Sequence, residues 1–139
     1  MRKVSGFTII ELVVVITILG ILAAVALPRF FDIQNEARRA SAAGVAGAVA
    51  SGAAINYAGR LATNSAPAAG QATVVNACTT AVLGRVLAGG IPAEIVISAP
   101  AAGGLTTTLA SNGLTGNCEF YHSAFAAGTT TVNIIAVIN

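Results

Sequence analysis

Residues 1–28 read MRKVSGFTIIELVVVITILGILAAVALP, and this stretch decides the fold. Two cations, Arg2 and Lys3, precede Gly6, and the 21 residues from Phe7 to Leu27 carry one ionisable side chain, Glu11. As a helix rising about 1.5 Å per residue, that run covers roughly 30 Å, enough to cross the hydrocarbon of a bilayer. A secretory signal has a shorter apolar region followed by a small-x-small cleavage site. Here the small residue that suits cleavage, Gly6, lies before the apolar run. The apolar segment is therefore expected to survive processing as a permanent part of the protein. Arg2 and Lys3 stay cytoplasmic by the positive-inside tendency, which leaves the C-terminal part outside the membrane. An uncleaved signal anchor would need neither a Gly6–Phe7 junction nor a carboxylate in the span.

The leader KVSG followed by FTIIELVVVITILGILAAVALP resembles the N-terminal segment of type IV pilins and their relatives. In that family a prepilin peptidase cuts after the glycine and methylates the new terminal residue, usually phenylalanine. Those positions are Gly6 and Phe7 here. The family's glutamate, fifth after the cut, falls on Glu11, and its helix-loosening glycine and proline correspond to Gly20 and Pro28. The continuation PRFFDIQNEARRA, residues 28–40, is similar to the mannose-sensitive haemagglutinin branch. The resemblance implies an α+β fold: a long N-terminal helix, half membrane-spanning and half amphipathic, packed on a small antiparallel sheet. It divides the chain into a leader (1–6), a transmembrane or filament-core helix (7–28), an amphipathic half-helix (29–60) and a globular head (61–139).

Glu11 is the costly residue. A carboxylate in an apolar helix costs on the order of 3 kcal/mol near the bilayer centre and less near an interface. Three readings stand side by side: an interfacial charge that snorkels to the headgroups, an anion favoured in the first turn of its own helix, and a partner for the α-amino group that cleavage creates on Phe7. In a filament that amine can belong to the next subunit and set the axial register. The resemblance implies this last arrangement; the spacing does not choose. Val13 to Ile18 are all β-branched, which disfavours helix in water, but in lipid the backbone must bond internally and helix wins. Gly20 and Pro28 weaken it, either as a plain kink or as the ends of a stretch, Ile21 to Leu27, that loosens outside the bilayer.

From Arg29 the pattern stays helical to about Gly59 or Arg60. Positions 30, 33, 37, 40, 44, 47, 51, 54 and 58 form a heptad stripe, small at every member after Ile33. Such a stripe lets another element approach closely, with Val45, Val49 and Ile55 supplying bulk nearby. Gly44, Gly47 and Gly52 each cost about 1 kcal/mol relative to Ala, so packing against a sheet of its own subunit is expected to hold this half-helix. Asp32, Glu36, Arg38 and Arg39 mark a solvated or inter-subunit side, with weak Glu36–Arg39 pairing.

Leu61 to Gln71 reads as a loop. A short strand is expected at Ala72 to Val75, and a helix over Thr79 to Leu87, capped by Thr79 or Thr80 and stopped by Gly89–Gly90. Strands follow at Glu94 to Ser98, Leu105 to Leu109, Cys118 to His122 and Thr129 to Ile138, with turns at Pro100 to Gly104, Asn112–Gly113 and Gly116–Asn117. About four antiparallel strands result. Cys78 and Cys118 are the two cysteines, and an even pair in an exported domain points to a disulfide. In the resembling family a C-terminal disulfide bounds a variable exposed region, which here corresponds to Ala77 to Glu119.

Composition limits the function. The chain has 139 residues and a formal charge of +2. Removing residues 1–6 leaves 133, with five basic side chains (Arg29, Arg38, Arg39, Arg60, Arg85) and five acidic (Glu11, Asp32, Glu36, Glu94, Glu119). No basic patch suits nucleic acid as an intrinsic partner. His122 is the sole histidine, so neither a metal site nor an acid-base or nucleophilic constellation is expected, and no cofactor is implied. Ala88 to Gly90 has no following Lys-Ser/Thr and makes no phosphate loop. The expected role is structural: the subunit of a type IV pilus-like filament used in surface attachment. Its partners would be further copies of itself, the prepilin peptidase, the inner-membrane assembly machinery and, before assembly, lipid. The precursor would cross the inner membrane once; the assembled fibre would be extracellular. A type II secretion pseudopilin is the alternative of the same structural class, and an adhesive or DNA-uptake component of the fibre is one of another class.

Overall fold

The computed structural model describes residues 6–63, 73–100 and 113–138. The first helix, α1 (Ile9–Thr63), begins where Thr8 caps it and ends three residues beyond the expected Arg60. Two compact units divide the chain, Met1–Asn35 and Glu36–Asn139.

In the first unit α1 runs unbroken through Gly20 and Pro28. Its large apolar side chains from Ile9 to Ile33 are all at least 45% exposed. Within that run Thr17 donates its hydroxyl to the Val13 carbonyl at 2.7 Å, so this polar group makes its bond inside the helix.

In the second unit α1 buries Ala42, Ala46, Val49 and Ala53 completely, spaced four, three and four apart as one helical face requires. They join a core with Val75, Leu83, Ile95, Cys118, Phe120, Ile134 and Ala136. This corrects the face expected from sequence. The heptad stripe at 37, 40, 44, 47, 51, 54 and 58 is exposed throughout. Both stripes have helical period and small residues. The one that carries Val49, with Val45 and Ala50 beside it, buries more apolar area and wins the core. Gly52 belongs to the packed side: a Cβ built there would sit on the Val86 carbonyl oxygen.

The expected helix at Thr79 to Leu87 is α2 (Thr80–Leu83) followed by a 3₁₀ turn (Gly84–Val86). The Thr79 hydroxyl accepts from Val82 N–H at 3.3 Å, and Gly89 and Gly90 take positive φ where the segment stops. Three antiparallel strands follow in spatial order: β1 (Ile95–Ser98), β2 (Thr115–His122) and β3 (Phe125–Ile135). The strand expected at Leu105 to Leu109 lies outside the described residues. The strand expected at Ala72 to Val75 is a single bridge, Val75 to Val137.

Gly116–Asn117 is not a turn. Both residues lie inside β2, opposite Ile134 and Asn133. Between β2 and β3 the chain reverses at Ser123–Ala124, where His122 Nδ1 accepts the Ala124 N–H at 3.1 Å, and the register slips between Phe120 and His122. Cys78 and Cys118 are bonded, with Cα atoms 5.5 Å apart, which ties the segment entering α2 to the central strand.

Candidate functional site

The residues singled out for processing and assembly lie at the start of α1. Gly6 and Phe7 precede the helix and are exposed, Phe7 by 73%. Thr8 and Glu11 then satisfy one another. Glu11 N–H donates to Thr8 Oγ1 at 3.3 Å, while Glu11 Oε2 accepts from Thr8 N–H at 3.3 Å and from the Thr8 hydroxyl at 3.1 Å. This is a capping box: the threonine closes one free amide of the first turn and the glutamate closes another. Two donors from Thr8 converge on one Glu11 oxygen, which lessens the cost of carrying a carboxylate into apolar surroundings.

Thr8 was not among the residues read as functional. Its signal was present as Thr-x-x-Glu before an apolar run.

Gly20 and Pro28 sit mid-helix. Among the described residues a Cβ at Gly20 would meet nothing, so none of them requires glycine there. Pro28 withdraws one N–H from the i→i−4 ladder and leaves the Ala24 carbonyl without that donor. Together with the unburied apolar flanks, this segment has the chemistry of a surface completed by lipid or by other helices. Cys78 and Cys118 lie in the second unit and belong to its core. Among the described residues no three of His, Cys, Asp or Glu gather as metal ligands.

Comparison with known proteins places this segment in a class. Residues 1–27 match the prokaryotic N-terminal methylation motif, the segment that marks prepilins. The relatives are pilus proteins. The chain is 49% identical over 53 residues to the type IV narrow pilus major component PilA5 of Thermus thermophilus, covering 38% of this chain and 46% of that protein. It is 55% identical over 38 residues to fimbrial protein EcpB of Eikenella corrodens, covering 27% of this chain and 24% of that one. It is 49% identical over 37 residues to the type IV major pilin protein PilA of Myxococcus xanthus, covering 27% and 17%. The matched stretch thus spans less than half of each relative. No solved structure matches the chain. The long apolar helix, the small antiparallel sheet and the single disulfide agree with the type IV pilin fold.

Proposed function

We propose that this chain is the structural subunit of a type IV pilus filament, with no catalytic role of its own. It is inserted in the inner membrane as a precursor, cut after Gly6, methylated on Phe7 and polymerised. The observation that carries the reading is the first half of α1: a methylation-motif segment whose apolar side chains are all exposed, opened by a capped carboxylate. Such a helix is stable only where lipid or neighbouring helices surround it. The PilA5 and PilA relatives, named as major pilus components, support the same role for this chain. Residues 7–28 form the membrane span and later the filament core, residues 29–60 the half-helix that joins it to the head, and residues 61–139 the outward head. Surface attachment is the use such a fibre serves.

The mechanism assigns two successive states to Glu11. In the bilayer, Thr8 supplies its donors. Cleavage after Gly6 leaves the Thr8 N–H intact and adds a cation at Phe7. When the helix leaves lipid for the filament core, pairing of Glu11 with a Phe7 amine offsets the desolvation of both charges, and the amine of the neighbouring subunit sets the register. Glu11→Gln is expected to insert and be cut normally, yet to give little surface filament against its membrane pool of processed subunit. Wild-type filament yield in this variant would show that Glu11 is only an interfacial charge.

A further inference from the structure

After Thr63 the chain carries one arginine, Arg85, and two glutamates, Glu94 and Glu119. No ion pair joins any of them to another described residue. Two are mounted on different elements, Arg85 on the 3₁₀ turn and Glu119 on β2. Cys118 is wholly buried and bonded to Cys78, two residues before α2 and the 3₁₀ turn that bears Arg85. That turn is held against α1 where the Val86 carbonyl meets Gly52. Strand alternation then puts Glu119, next to Cys118, on the other face of the sheet. There it is half-buried between Ser98 of β1 and Thr131 of β3, and the Ser98 hydroxyl donates to its Oε2 at 3.5 Å. Arg85 is exposed on the turn whose neighbours Leu83 and Val86 pack into the core on the inner side of the sheet. No ion pair joins Arg85 to Glu119 within one subunit.

We propose that the outer sheet face at Glu119 receives Arg85 from a second copy of this chain. Charge complementarity selects the occupant. The face offers one carboxylate, already partly desolvated and flanked by neutral hydrogen-bonding groups. The rest of the head offers one cation, an arginine, whose planar fork suits a carboxylate. Because the two groups lie on different faces, the contact is heterologous: it leaves a free Arg85 at one end and a free Glu119 at the other, and it propagates rather than closing into a dimer. The inference rests on the filament reading and adds to it a head-to-head contact outside the helical core. Glu94 has no part in it, being exposed at the turn that leads into β1.

The test uses the full chain in cells that make the fibre. Surface filament is measured against the processed subunit pool for Arg85→Glu, Glu119→Arg, the double charge swap and Glu94→Gln. Intact mass of the oxidised subunit checks that the Cys78–Cys118 bond has formed. Each single reversal is expected to lower filament yield roughly tenfold, the swap to recover most of it, and Glu94→Gln to match wild type. If a reversal reduces subunit accumulation, Glu119→Gln replaces it, with the same expected loss. Singles at wild-type yield, or a swap no better than the singles while bonded subunit accumulates, overturn the contact. A wild-type chain that makes no filament overturns the filament reading and the contact with it; wild-type filament with unaffected variants overturns the contact alone.

Discussion

Asn56 and Thr73 bind each other reciprocally: Asn56 Nδ2 donates to the Thr73 carbonyl at 2.7 Å, and the Thr73 N–H donates to Asn56 Oδ1 at 2.7 Å. The side-chain amide of α1 thus acts as one rung of a strand ladder for the chain that leads to Val75. Val75 in turn exchanges two backbone bonds with Val137, at 2.8 and 3.0 Å. Asn56→Ala leaves both Thr73 groups without a protein partner and should cost about 1–3 kcal/mol. Urea unfolding of the fragment after Pro28 measures it; a loss below about 0.5 kcal/mol would mean that water replaces the amide at no cost.

Gly52 and Gly44 lie on different faces of α1, and alanine at each should have opposite effects. At Gly52 the new methyl meets the Val86 backbone carbonyl, and backbone cannot swing aside as a side-chain tip does. Gly52→Ala is expected to destabilise by about 1–3 kcal/mol despite its better helix propensity.

Gly44 has open space where a Cβ would go. Gly44→Ala should stabilise the same fragment by about 1 kcal/mol. The exposed face around it has no charge from Ala40 to Gly59, unlike the polar outer face of an ordinary surface helix. In the filament reading that face packs against neighbours. Gly44→Leu should therefore leave the fragment as stable as wild type and reduce filament yield. Equal yield would show that the face stays in water.

The disulfide closes a loop with a sequence separation of 40. In the chain-entropy model that stabilises by about 4 kcal/mol, a large share for a head whose core is mostly alanine, valine and isoleucine. Cys118→Ala should lower the melting temperature of the fragment clearly, and free-thiol titration of the oxidised parent should find none. An unchanged melting temperature would place the stability of the head elsewhere.

Much of this was legible in the sequence, and the reasons differ by element. The span from Phe7 to Leu27 could be read because length and apolarity alone decide it. The cap at Thr79 and the stop at Gly89–Gly90 were read from local backbone chemistry, which acts within a few residues. The buried face of α1 was misread. Alanine and glycine occur on both faces, and the choice between them is made by Phe120, Ile134 and Leu83, which are distant in sequence. Gly116–Asn117 carried a turn signal that cross-strand pairing with Ile134 and Asn133 overrides. The reversal between β2 and β3, Ser123–Ala124, contains no glycine, and the His122 ring supplies the acceptor there. The Thr8–Glu11 box is legible in the sequence as Thr-x-x-Glu before an apolar run.

In the proposed function this chain is cut after Gly6 and built into a fibre from Phe7 onward. Intact mass of the protein in filaments sheared from the cell surface tests it most directly. The expected result is the mass of residues 7–139 with Cys78 and Cys118 oxidised and one methyl group on Phe7. A chain that keeps Met1 to Gly6, begins at any other residue, or occurs only in the membrane fraction would contradict it.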